Sequence, residues 1–535
     1  MDGSSAIALL VSAWSCSLIL LFVKFQQSAA SLRPGRLPPG PTPLPLIGNL
    51  LDIPRVRPWL GFNDMAKKYG NLMHFRALGR SIIIINDPDT VMDLFEKRST
   101  VYLSRPQTIL SSLYVSQIAH APFEQCNHVV AFRTGWEWNM AFFPYGPKWK
   151  HYRRAVWAYY HPDVIAKYYP CQTENARRLL SKLLSDDTRL VEHVRSAIGA
   201  TLVTITYGVD VTMDSSDTLL STFEEGVKSI QLFVSGSSVL EFIPILSRLP
   251  TWLPGTAYLR DLARTRQATY RMRDVPWNAA KEALSEGRAS ESIARSMVER
   301  LSHLSDDVDL GEEMVARDVS AISYAAGIDT THAVLCNFFV AMALYPDVQK
   351  AAQAELDAIV GQSRLPEFED RDNLPYINAI IKETLRWHPA APLGLAHRST
   401  EDDIHEGYFI PEGSIVMVNV WSIMNDPAVY PEPEKFIPER FFKEGRIDAA
   451  VRDPFAYLFG FGPRICPGRH YADASLFITI ASVLHTLNIH PPRDSNGQPI
   501  QTELRTTSGL VVHIDNYRCT VTPRSATEEL IRNLD

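Results

Sequence analysis

The sequence predicts a mainly α protein with small β-sheets, built as a single large domain behind an N-terminal transmembrane helix. Three observations lead there. The run from Gly3 to Val23 carries no charge, and the helical pattern from Leu310 to Tyr345 is too long for an ordinary globular helix. The chain beyond residue 50 shows no repeat, low-complexity block or second linker. Of the 535 residues, 46% are hydrophobic, 10% aromatic and 21% charged, which excludes a disordered chain or a disulfide-dense secreted scaffold. A net charge of -7 leaves no basic domain of the kind a nucleic-acid binder carries. The cysteines Cys16, Cys126, Cys171, Cys336, Cys466 and Cys519 are scattered, with no CxxC pair, and read as reduced thiols.

Taken in order, the first element is the anchor. As a helix, the uncharged run spans roughly 31 Å at about 1.5 Å per residue, enough to cross a bilayer. Asp2 precedes it and Lys24, Arg33 and Arg36 follow it, the reverse of the charge order in a cleaved signal peptide. Basic residues stay cytosolic, so residues 1–30 are expected to anchor the chain in the endoplasmic reticulum membrane with its body in the cytosol. The sequence has no Asn-x-Ser/Thr sequon, in keeping with a cytosolic body. Residues 31–49, with RPGRLPPGPTPLPLIGN from Arg33 to Asn49, are rich in Pro and Gly and should form an extended hinge. The folded body is expected over 50–525, followed by a short tail, 526–535. Within the body, Ser81 to Pro88 reads as a short apolar strand. Phe409 to Val420 reads as a second strand region, broken at Pro411-Glu412-Gly413. Most of the remainder is helical in pattern, and the stretch from Leu310 to Tyr345 lacks a heptad, so it should cross the whole interior.

Residues 459–468 read FGFGPRICPG, so Phe459, Gly462, Arg464, Cys466 and Gly468 occupy every fixed position of FxxGxRxCxG. Glycines around one cysteine let the backbone approach something flat and aim amide N–H groups at the sulfur. Such donors, with Arg464 nearby, stabilise a thiolate. The loop resembles the haem-binding loop of the cytochrome P450 family, the haem-thiolate monooxygenases. The resemblance implies a cytochrome P450-type domain, haem b with Cys466 as its axial iron ligand, and O2 as co-substrate.

Further motifs follow in the family's order. Glu383-Thr384-Leu385-Arg386 matches ExxR, with acid and base on one helix face. Phe436 to Phe441 resembles the segment whose Arg440 joins Glu383 and Arg386 in a buried structural network. Trp149 and Arg153 match WxxxR, where the resemblance implies that both reach one haem propionate. His397 and Arg464 are further propionate candidates by resemblance, with Arg398 beside them. Ala326-Gly327-Ile328-Asp329-Thr330-Thr331 matches [AG]-G-x-[DE]-T-[TS] in the long helix. Gly, Asp and Thr oppose helix propensity there, and violated local rules tend to mark function. In family terms Asp329 and Thr330 relay protons to dioxygen.

By resemblance, the substrate cavity is lined by Leu113 to Phe132, Leu232 to Leu253, Ala325 with Ala326, Ala391 to Leu395, and Gly509-Leu510. These small, aliphatic and aromatic residues suggest a lipophilic small molecule, such as a terpenoid or polyketide of secondary metabolism. The stretches around Glu383 and Cys466 look most like filamentous-fungal members. No dinucleotide fingerprint or P-loop occurs, so electrons come from outside the chain. Lys148, Lys150, Arg153 and Arg154 offer a basic face to an acidic flavoprotein, NADPH-cytochrome P450 reductase, with cytochrome b5 as a second donor. Two alternatives remain open on sequence alone: a haem-thiolate isomerase or dehydratase that uses no dioxygen, and a membrane-tethered haem binding protein without turnover.

Overall fold

A computed structural model of the chain describes residues 35–106, 134–211, 218–234, 252–253, 256–302, 306–492, 498, 500, 504–515, 518–527 and 530. The expected anchor, the Leu113 to Phe132 stretch and most of Leu232 to Leu253 lie outside them. The architecture is mainly helical with small sheets, as the sequence predicts. The chain divides into two compact units, residues 1–106 with 396–419, and residues 107–395 with 420–535.

The first unit is built on isoleucine. Strands β1 (Leu72–Ala77) and β2 (Arg80–Ile85) pair antiparallel, with Met73 opposite Ile84 and Phe75 opposite Ile82. Three short strands come next, β3 (His397–Arg398), β4 (Asp403–His405) and β5 (Tyr408–Ile410), then β6 (Ile415–Val418). The main sheet runs β1-β2-β6-β3, with β6 parallel to β2. Central position buries Ile82 to Ile85 throughout, which is why this strand is a continuous apolar run. In β1 only Met73, Phe75 and Ala77 of the alternating set are fully buried, a period-two pattern that sequence reading passed over. Helix α1 (Pro58–Tyr69) starts on its proline and packs Trp59 and Phe62 inward. The Pro-rich segment is extended, but from Pro39 to Asn49 it is fastened to β1 rather than free. His74 N donates to Pro39 O at 2.9 Å, and Arg76 N to Asn49 Oδ1 at 2.9 Å. Gly40 permits this docking, since a Cβ there would sit 1.9 Å from the His74 carbonyl oxygen.

The second unit carries α2 (Pro147–Tyr160), α3 (Tyr169–Ser185), α4 (Leu190–Tyr207), α5 (Thr218–Val234), α6 (Ala257–Ser285), α7 (Ile293–Leu301), α8 (Asp306–Leu344), α9 (Pro346–Ile359), α10 (Pro375–Trp387) and α11 (Arg469–Thr486). A strand pair, β7 (Leu487–His490) with β8 (Thr520–Pro523), follows. The 39 residues of α8 extend about 58 Å at 1.5 Å per residue. The helix stops before Pro346, whose ring suits the first turn of α9. It is apolar enough to pass for a membrane span, yet 83% of that window is buried, so it is the core helix of this unit. Helices α2, α4, α10 and α11 all pack on it. Gly327 serves this packing: a Cβ there would come within 3.0 Å of Leu202 on α4.

Behind the core lies a buried ion network. Arg386 and Glu383 of α10 are both fully buried, joined at 2.7 and 2.8 Å, and Arg440 Nε reaches Glu383 Oε1 at 3.1 Å. Ile437 N donates to the same oxygen at 2.8 Å, while Arg386 also donates to Met424 O and Lys435 O. Every charge is thus hydrogen-bonded, which is the condition for burying ions at all. Glu383→Gln leaves two guanidinium groups without that anion, a loss of about 3–5 kcal/mol for a broken buried pair. The half-life of the folded chain at elevated temperature should shorten steeply, whereas Arg440→Lys, which keeps the charge, should fall between the two.

Candidate active site

Cys466 lies where a tight loop feeds the N-terminus of α11. Gly460 and Gly462 take φ of +79° and +53°, a backbone region that glycine enters at no cost. The loop then closes on itself through Cys466 N to Phe459 O at 2.6 Å and Ile465 N to Gly462 O at 3.0 Å. Phe459 stacks on Phe455 with ring centroids 5.3 Å apart, and Gly468 is the N-cap of α11. Cys466 is half-buried as a residue. Burial raises the thiol pKa. The amides of Gly468 and Arg469 and the charges of Arg153 and Arg469 work against that rise. Sequence reading set Arg464 near the sulfur, and Arg153 and Arg469 are cations that act on it as well. Arg469 follows the cysteine by three residues, a signal that was there to be read.

Arg464 ties the loop to α2 and the turn before it. Its Nη2 donates to Phe143 O at 2.7 Å and its guanidinium lies 4.6 Å over the Trp149 ring. Trp149 is buried on α2, one turn before Arg153, so WxxxR and the cysteine loop meet directly. Arg153 is half-buried, has no carboxylate partner among the described residues, and is pushed down by burial while the Cys466 charge pulls it up. Between the two motif residues, Tyr152 donates from its hydroxyl to Asp318 Oδ2 of α8 at 2.8 Å. His397 belongs to the first unit, on β3, with Nδ1 2.8 Å from Tyr102 O. In that unit Arg105, which sequence reading missed, is buried on the Ala396 carbonyl at 2.8 Å, and burial lowers it to about 9.

On α8, Ala326 is exposed although Ala325 and Ile328 beside it are buried, so a small side chain fronts open space in mid-helix. One turn on, Thr330 Oγ1 donates to Ala326 O at 3.0 Å, the back-bonding expected of a mid-helix threonine. Asp329 is buried and ion-paired: Arg195 Nη1 of α4 lies 2.8 Å from Oδ1, and His513 Nε2 lies 3.7 Å from Oδ2. Burial favours its neutral form, but His513 and Arg195 outweigh that and hold the carboxyl well below the usual range. Neither partner carried a local signal, since each is remote in sequence. A thiol under amide donors, an unpaired guanidinium beside it and a small-residue helix face form a donor set that fits haem.

The cytochrome P450 family model matches residues 38–521. The chain is a cytochrome P450. It is similar to cytochrome P450 monooxygenase COX2 of Coprinopsis cinerea, 36% identical over 492 residues, covering 92% of this chain and 90% of the relative. A second Coprinopsis cinerea protein, cytochrome P450 monooxygenase COX1, is 36% identical over 96% of each chain. Tryptamine 4-monooxygenase of Psilocybe cyanescens is 35% identical, covering 97% of this chain and 98% of its own. This P450 is therefore an oxidoreductase that incorporates oxygen, and its one family domain runs through both compact units.

The Tyr152–Asp318 contact under the site has a pH signature. Asp318 is 1% exposed, and burial lifts its carboxyl to about 6 against the opposing Arg273, Tyr152 and Arg317. The folded chain thus keeps this proton to higher pH than the unfolded chain, whose carboxyl has the ordinary value of 3.8, so ionising it weakens the fold. Asp318→Asn is a fixed neutral analogue that still accepts from Tyr152, and Arg273 keeps Asp274 at 2.8 Å. Denaturation midpoints should show the variant more stable than the parent by on the order of 3 kcal/mol at neutral pH. The gap should close as pH falls toward about 4; a gap independent of pH contradicts the assignment.

Proposed function

We propose that this P450 inserts one oxygen atom from O2 into a lipophilic small molecule, drawing electrons from NADPH-cytochrome P450 reductase. The observation that carries the reading is the Phe459–Gly468 loop, which presents the Cys466 sulfur under two backbone amides and beside Arg153. In this reading Cys466 would hold the iron of haem b. Trp149, Arg153 and Arg464 would hold its propionates, and Phe459, Gly462 and Gly468 would shape the loop that receives it. Bound there, haem supplies the activation of dioxygen and the transfer of oxygen to substrate. The chain's own residues then manage protons and position. Thr330 Oγ1 spends its hydrogen on Ala326 O and keeps its lone pairs to accept from a water beside it. Asp329, next along α8, is the acid that resupplies that water.

Substrate class is argued from the accessible lining. Ala326, Leu393, Leu395 and Leu510 are apolar and partly or fully exposed, which favours a terpenoid, polyketide or similar skeleton over a charged metabolite. On α2, Lys150 and Arg154 are exposed at i, i+4 spacing, a face suited to an acidic flavoprotein and to cytochrome b5. The leading apolar run is proposed as a single-pass anchor in the endoplasmic reticulum membrane, ahead of the haem domain. Expression with a reductase under isotope-labelled dioxygen, followed by mass analysis of lipophilic metabolites, tests the reading. A product heavier by one labelled oxygen is expected.

Two variants check its parts. Thr330→Ala should keep the haem spectrum and substantial NADPH oxidation while peroxide rises and product per NADPH falls about tenfold. An unchanged coupling ratio contradicts the role given to the hydroxyl. Removal of residues 1–30 should release the chain from membranes with its haem spectrum intact, and a truncated, unaggregated form that still sediments with membranes defeats the single-anchor reading.

A further inference from the structure

The two oxygens of Asp329 face different neighbours. Oδ1 accepts from Arg195 Nη1 at 2.8 Å, and Arg195 is itself fixed by Glu224 of α5, with Nε 2.7 and 2.8 Å from its two oxygens. Oδ2 is buried, makes no hydrogen bond, and lies 3.7 Å from His513 Nε2. An arginine cannot exchange protons near neutrality, so the Oδ1 side of the acid is closed to proton traffic. A histidine can.

Two histidines approach this acid, and they differ. His332, three residues on along α8, has its ring 5.5 Å from that of His513. Its Nε2 lies 3.1 Å from Val191 O, and burial, then the charges of Arg195 and His513, push it down to about 3. It stays neutral, with its Nε2 proton committed to that carbonyl. The His513 side chain keeps 16% exposure against 8% for Asp329, so it alone joins the acid to solvent among the described histidines. Its backbone is pinned on both flanks: His513 N donates to Thr507 Oγ1 at 3.0 Å, Thr507 N to His513 O at 3.0 Å, and Val512 N to Ala390 O at 2.8 Å. The groups facing the ring are Asp329 and His332 of α8, while Arg195 of α4, fixed by Glu224 of α5, holds the other oxygen of the acid.

We propose that His513 is the proton donor to Asp329, passing the Nε2 proton to Oδ2 and being reprotonated from solvent while Arg195 holds Oδ1. One N–H bond breaks and one O–H bond forms, and no other reactant is needed. The present separation closes to a hydrogen bond with a shift of about 1 Å, or is spanned by one water. His513 acts through Asp329 and is a positioning residue, and the inference rests on the reading that Asp329 supplies protons during oxygen turnover.

The test uses the full-length haem-loaded chain with its reductase and follows basal NADPH oxidation, for which dioxygen is the only co-substrate required. His513→Gln should slow it about tenfold at neutral pH, enlarge its solvent isotope effect and flatten its pH profile, with the haem spectrum unchanged. If His513→Gln matches the parent in rate, isotope effect and pH profile while Asp329→Asn is slowed, the proposal falls and the role of the acid stands. If Asp329→Asn is unchanged as well, both fall. Should His513→Gln fail to fold, histidine labelling of the otherwise intact chain decides. One ring nitrogen resonance must shift when Asp329→Asn removes the neighbouring anion, and a set of unmoved ring resonances overturns the proposal.

Discussion

The constraint on which the rest of this structure depends is that a sulfur must be sunk in protein and still be ready to carry negative charge. Desolvation alone pushes the Cys466 thiol the wrong way. What opposes it is supplied at three scales. Left-handed Gly460 and Gly462 let the loop fold back on Phe459, the first amides of α11 point at the sulfur, and Arg153 and Arg469 bring positive charge from two helices. Each is a local solution to one electrostatic problem, and together they fix where α2 and α11 must stand relative to α8.

The same economy recurs wherever this unit buries a charge. Glu383 is shared by two arginines and a backbone amide, whereas Asp318 has a tyrosine hydroxyl and more distant cations. Full hydrogen bonding makes the first a permanent ion network. The looser second arrangement leaves a carboxyl whose protonation follows the surrounding pH. Asp329 lies between these cases, locked on one oxygen and open on the other. An acid expected to pass protons needs that asymmetry, since a fully satisfied carboxylate has nowhere to receive one.

Much of this was legible because the chemistry is written in short spacings. FxxGxRxCxG, ExxR and WxxxR each place their residues within one loop or one helix turn, so sequence distance and spatial distance agree. The isoleucine run of β2 and the length of α8 were readable for a similar reason, as burial on all sides leaves an unbroken apolar stretch. What escaped was non-local. Arg195 reaches Asp329 across 134 residues. His513 and the fastening of Pro39 to Asn49 along β1 likewise depend on packing that no spacing encodes. Gly327 was read as a residue that opposes helix propensity, and its surroundings add the reason, a close approach of α4. Arg464 lays its guanidinium on the Trp149 indole face, another contact between residues remote in sequence.

Among the described residues Cys466 is the side chain poised to ligate iron as a thiolate, and optical spectroscopy of the reduced carbonyl complex tests this most directly. The parent protein should give the red-shifted Soret band that thiolate ligation produces, and Cys466→Ala should lose it while Cys336→Ala and Cys519→Ala keep it. Persistence of that band in Cys466→Ala would contradict the account.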